Sequence, residues 1–287
     1  MVLGEIESAL ALFDRAKKWL KQEKNQSMET VAGRFIRLFE AHDVHRNQIP
    51  KFFGHGLDIA HFKDEDTLHP HLTDKILDDA CQLFTVRREW LDGAEDDIYQ
   101  VHHFYKDVEG FKQYIDELKL TEPMGIRAEL ILSTDRKWQE DALLIFIEEI
   151  GHIGDKPIYR YHFVSGWVHR YGKCRAELAA CIAMLLNKKI HLKGHFVKQS
   201  IDHFCSGLEF TKTLSNYRHL KPYDWHPDNW VYDPKEFVKE LADEQFGKVN
   251  ALARWLEYYE KGFMNTGNSG ADAVNGFTNE LAKQKRT

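Results

Sequence analysis

Between residues 28 and 93 the apolar positions fall at intervals of three and four. Val31, Phe35, Leu38 and Phe39 line one side of a helix over residues 30–44, and Ile76, Leu77, Ala80, Cys81 and Phe84 line a second, which Thr73 is placed to cap. Asn47 and Pro50 start a helix between these two, since Pro is tolerated in a first turn. Residues 87–91, with Trp90 as the core anchor, form a last short turn closed by Gly93. Ahead of this bundle, Ile6, Leu10, Phe13 and Leu20 make an amphipathic helix over residues 3–25 that either docks on its own domain or pairs with a second copy into a homodimer.

From residue 125 the period changes to two. Ile126, Ala128, Leu130 and Leu132 alternate as in a strand, and residues 142–164 read as a hairpin whose turn holds Gly151, Gly154, Asp155 and Pro157. Residues 174–186 are an Ala-rich helix, 189–197 a further strand and 198–205 a further helix. Residues 221–234, with Trp225 and Trp230 beside three prolines, are a packed connector, and 236–263 return to helix. The pattern predicts an α+β fold with a small antiparallel sheet. Its expected divisions are a leading helix (1–27), a helical bundle (28–98), an α+β sensing or dimerisation domain (99–234), a helical C-terminal arm (235–264) and a flexible tail (265–287).

Charge changes this picture more than composition does. The 287 residues carry a net charge of −6, yet residues 156–221 hold 12 Lys and Arg against three acids, a balance of 12 − 3 = +9. Such a field attracts phosphate or carboxylate, or else neutralises an acidic neighbouring domain. The longest apolar run, residues 176–186, is too short to cross a bilayer, so no membrane partner is expected. Four scattered cysteines without a C-x-x-C pair suit a reduced, cytoplasmic protein.

Residues 35–44 followed by 45–53, and then residues 73–84 running into Val86-Arg87-Arg88-Glu89-Trp90-Leu91-Asp92-Gly93, resemble the Cro/C1-type helix-turn-helix domain over about 65 residues. The resemblance implies a compact bundle that binds double-stranded DNA, with Arg46, Asn47, Gln48 and Lys51 near the start of a helix where they meet phosphates or base edges. This chain departs from that pattern in charge. Residues 57–66, in the recognition-helix place, are acidic, and residues 28–93 hold 8 cations against 12 acids. A surface of that sign suits a protein contact instead.

In the basic domain, Arg160, His162, Arg170, Lys173 and Arg175 are candidate ligands for an anionic small-molecule effector. Tyr159, Tyr161 and Phe163 share one strand face, either as core or as a stacking platform, with Arg160 and His162 on the other. Glu148 and Glu149 point to opposite faces and cannot act as a carboxylate dyad. The histidine pairs His191/His195, His69/His71 and His102/His103 lack a recognised metal pattern, and neither a phosphate loop, a dinucleotide fingerprint nor a nucleophile elbow is present. No cofactor and no catalytic residue is therefore expected. The functions left open are a DNA-binding regulator with an effector domain, a protein adaptor, and an enzyme for an anionic substrate.

Overall fold

The computed structural model describes residues 29–118, 125–134, 141–213, 224–241, 246–267 and 271–286. The expected leading helix, residues 1–27, lies outside them.

Helix α1 (Val31–Ala41) starts where Thr30 accepts a hydrogen bond from the Gly33 amide at 3.0 Å, and it buries Ala32, Phe35, Ile36, Leu38 and Phe39. After a 3₁₀ turn at Arg46–Gln48 comes α2 (Ile49–Phe53), with Pro50 in its first turn. The stretch in the recognition-helix place is divided. Asp58 caps a 3₁₀ turn at Ile59–Lys63 through the Ala60 amide (2.9 Å), and Asp64 caps the four-residue α3 (Glu65–Leu68) through the Thr67 amide (2.8 Å). Two caps six residues apart leave no room for a longer helix. A third 3₁₀ turn, His69–His71, leads to α4 (Asp74–Phe84), capped by Thr73 as its sequence predicts, and then to α5 (Arg88–Leu91). Trp90 is 2% exposed, in the same core as Phe35 and Leu77.

The remaining elements are β1 (Val101–His103), α6 (Val108–Glu117), β2 (Ile126–Ser133), β3 (Ala142–Ile153), β4 (Lys156–Trp167), α7 (Gly172–Asn187), β5 (His191–Val197), α8 (Asp202–Cys205), β6 (Asp224–Trp225), α9 (Asn229–Tyr232), α10 (Pro234–Val238), α11 (Lys248–Glu260) and α12 (Ala271–Gln284). The strands form one sheet in the order β1-β4-β3-β2-β5-β6. The fold is α+β, as expected, and the expected hairpin is the β3–β4 pair of an antiparallel β2-β3-β4 meander. The sheet as a whole is mixed, not antiparallel. Helix α7 carries the chain back across one face, which lays β5 parallel to β2, and β1 adds in parallel to β4.

Each sheet face has its own core. Ala128, Leu130, Leu144, Phe146 and Val164 pack under α6, α7 and α9–α12, whereas Ile131, Leu143, Ile145, Ile147 and Phe163 pack with the N-terminal bundle and α8. Alternation on the strands thus feeds two apolar layers at once. Helix α7 is buried nearly all round, as an Ala-rich helix between a sheet and a helical layer must be.

Two expectations for the C-terminal region need correction. The arm is not an arm, since α10 and α11 are part of the layer over α7, burying Phe237, Ala251, Leu252 and Trp255. Nor is the whole of 265–287 a flexible tail. Phe277 of α12 is fully buried and stacks on Trp255 at 3.7 Å. Ala273, Val274, Phe277 and Leu281 make the helical stripe that the Gly/Asn/Lys-rich composition conceals.

Candidate ligand cleft

At the β5–β6 side of the sheet, His169, Arg175, Phe196, Trp225, Trp230, Glu236, Lys239 and Glu240 line a cleft of about 150 Å³. Its floor begins with backbone geometry. The Ser133 amide donates to the Asp141 carbonyl at 2.8 Å, and the Asp141 amide donates to the Trp167 carbonyl at 3.0 Å, which ties the ends of β2, β3 and β4 together. The Asp141 carboxylate then accepts from the His169 amide at 2.6 Å. The His169 ring lies with Nε2 3.0 Å from the Ser133 carbonyl. A carbonyl only accepts, so Nε2 carries the proton and Nδ1 is a lone-pair acceptor, buried and without a hydrogen bond.

Arg175, on the first turn of α7, is 2% exposed. Its Nε donates to the His169 carbonyl at 2.7 Å, and Nη1 donates to the Phe237 carbonyl at 2.8 Å and the Lys239 carbonyl at 3.3 Å. The guanidinium lies over the Trp230 ring at 3.9 Å, a cation–π stack that holds its plane. Nη2 makes no hydrogen bond among the described residues, and Arg175 makes no ion pair there. Phe196, Trp225 and Trp230 form the aromatic wall, their ring centroids 5.4 and 4.4 Å apart in succession.

The electrostatics follow from this burial. Burial pushes Arg175 down to about 9, although Glu240, Asp141 and Glu236 pull it upward. Burial, with Arg175 and Arg170 close by, holds His169 down at about 3, so the ring is neutral at physiological pH. Burial pushes Asp141 up to about 7 against the pull of the His169 amide, Arg170 and Arg175. A guanidinium buried among carbonyls and an indole face, with one nitrogen unused, is equipped to receive an anion.

The five expected effector residues divide among separate places. Arg175 lines the cleft, and Arg170 sits behind it, 3.5 Å from Asp141. Lys173 lies over the Phe246 ring at 5.2 Å. Arg160 and His162 belong to another cluster on the sheet, where Arg160 holds Glu148 in a bidentate pair (2.7 and 2.8 Å) and His162 adds a contact at 3.0 Å. Burial alone would raise Glu148, but those hydrogen bonds outweigh it and hold the acid at about 2. Tyr159, Tyr161 and Phe163 face the bundle-side core and are packing residues.

In the bundle, Arg46 lies 3.5 Å from Glu40, and the Gln48 side chain accepts from the His45 amide at 3.1 Å. Asn47 and Lys51 are exposed. Much of the basic excess of residues 156–221 is spent inside the fold. Lys156 and Lys212 both reach Asp43, at 3.6 and 3.2 Å, while Lys188 pairs with Asp116. Arg218 and Lys221 lie outside the described residues.

Asp141, Phe196, Glu236, Lys239 and Glu240 carry no local signature, because they converge from a loop, a strand and a helix end. Trp225 and Trp230 did carry one, since two indoles beside prolines in a short connector signal a built surface. A second cavity of about 310 Å³ lies between Glu109, Lys112, Asp116, Lys188 and Lys261. Its lysines are satisfied by Glu109, Asp116 and Glu257, so it holds no comparable unused donor.

Compared with protein-family models, curated proteins and solved structures, the chain gives no match to any of them.

Proposed function

We propose that this protein is a ligand-responsive regulator in which the cleft binds a small anionic molecule and the helical bundle carries the output. One observation carries the reading: Arg175 is buried, stacked and oriented, yet lacks a carboxylate partner among the described residues and keeps Nη2 for the cleft. A connection to the bundle supports it. His169 holds the Ser133 carbonyl, the Ser133 hydroxyl donates to the Gln199 carbonyl at 2.8 Å, and Val197 and Ile201 on either side of Gln199 belong to the bundle-side core.

Calorimetric melting with acetate, inorganic phosphate and amino acids tests the reading. A ligand present at 100 times its Kd adds about 2.7 kcal/mol of stability. Melting temperatures that none of these probes moves at millimolar concentration would overturn it.

Duplex DNA as the output partner keeps Arg46, Asn47, Gln48 and Lys51 as its contacts. A protein partner is favoured by the bundle's own ion pairs, in which Arg34, Arg37, Arg46, Arg87 and Arg88 face acids of the same module. A mobility-shift titration at low salt decides between them. Retention that weakens as salt rises, and that Arg46→Ala/Lys51→Ala reduces by about two units of salt slope, supports DNA. Absence of retention at micromolar protein leaves the protein partner.

A further inference from the structure

The charges around the cleft are arranged as a dipole. Lys239 lies 3.3 Å from Glu236, so those two largely cancel. Among the described residues that line the cleft, what remains is one deep cation, Arg175, and one acid, Glu240, on the exposed side. Glu240 is the acid that acts most strongly on Arg175, yet the two make no ion pair. Its backbone is held in the left-handed region (φ 59°), an uncommon conformation for a residue with a side chain and one that recurs at ligand sites. His169, being neutral, adds no charge to either end.

Resting on the reading of the cleft as a ligand site, we propose that its ligand is a compact zwitterion of the free amino-acid type, with the carboxylate on Arg175 Nη2 and the ammonium group toward Glu240. A simple anion gains Arg175 but faces Glu240 unscreened, and a simple amine gains Glu240 but faces the guanidinium. A zwitterion meets both ends, and its ammonium also finds an aromatic wall, for which indole rings are the best cation–π partners. A cleft of about 150 Å³ suits a molecule of this size and is too small for a nucleotide.

Isothermal titration of the full chain at pH 7 with glycine, alanine, acetate, ethylamine and inorganic phosphate tests the inference. We expect at least one amino acid to bind about tenfold or more tighter than acetate, ethylamine and phosphate. The exposed substitution Glu240→Gln should bring that amino acid back to the affinity of acetate, with an unchanged circular-dichroism spectrum. Acetate or phosphate binding as tightly as the amino acids, or a preference that survives Glu240→Gln, would overturn the zwitterion and leave the anion site standing. Binding by none of the five probes would overturn both.

Discussion

His42 offers a direct test of how the bundle is stabilised. It sits 3% exposed at the end of α1, where Nδ1 donates to the Leu38 carbonyl at 2.8 Å and Nε2 accepts from the Tyr99 hydroxyl at 3.3 Å. Phe84, Tyr161 and Phe210 surround the ring. Burial lowers its pKa from 6.5 to about 4, against the smaller opposing pull of the Leu38 carbonyl and Asp43. The unfolded chain therefore binds the proton more readily than the folded one. Stability from this group is complete above pH 6.5 and declines as pH falls toward 4. A shift of that size amounts to about 3 kcal/mol in full, and to about 2 kcal/mol between pH 7 and pH 5. His42→Phe loses both hydrogen bonds and is less stable at pH 7, but it has no proton to gain. Urea unfolding of both proteins at pH 7 and pH 5, followed by far-ultraviolet circular dichroism, should show their stability difference shrinking by about 2 kcal/mol at the lower pH. Taking the difference removes the other titrating groups, including Asp141, whose raised pKa acts in the opposite direction. An equal gap at both pH values would show that His42 is not held neutral by burial.

Trp90→Ala should cost about 3–5 kcal/mol in the same unfolding assay, because it empties a fully enclosed indole site under Arg37 and Phe210. Phe277→Ala should cost a similar ~3–5 kcal/mol, and an unchanged melting temperature would mean that α12 does not hold the α10–α11 layer in solution. Arg160→Ala should cost about 2 kcal/mol at pH 7, below the range for breaking a fully buried pair because the arginine is partly exposed. Since Glu148 is held at about 2, the advantage of the wild type is present above pH 4.5 and lost only as pH falls through 2, so the loss at pH 5 should equal that at pH 7.

Where apolar spacing alone decides the outcome, the chain is readable. Thr73 sits at a real cap, Trp90 is a core anchor, and residues 142–164 form a hairpin. The parallel pairings were not readable, because the register of β5 against β2 is set by how α7 crosses the sheet, not by any residue of β5. Helix α12 was hidden for a different reason, since four apolar residues among polar ones acquire a helical face only when Trp255 and Phe237 are there to receive it. Arg175 was picked out by its charge and lies in the cleft, whereas Arg160 was picked out in the same way and is bound to Glu148. Sequence registers a cation, but not whether its acid stands across a strand pair twelve residues away.

The shared sheet has a practical consequence for anyone dividing this chain. Ile131, Leu143, Ile145, Ile147 and Phe163 share one core with the bundle before position 98 and with α8 and Tyr99 after it. A fragment that begins after the bundle would keep the cover given by α8 and Tyr99 but expose the rest of this apolar face to water, a setting that favours self-association. The isolated bundle would in turn lose the surface on which Phe35, Phe39 and Phe84 close their core. Co-expression of the two pieces, so that each can find the other's face, is the form in which a split version of this protein should stay in solution.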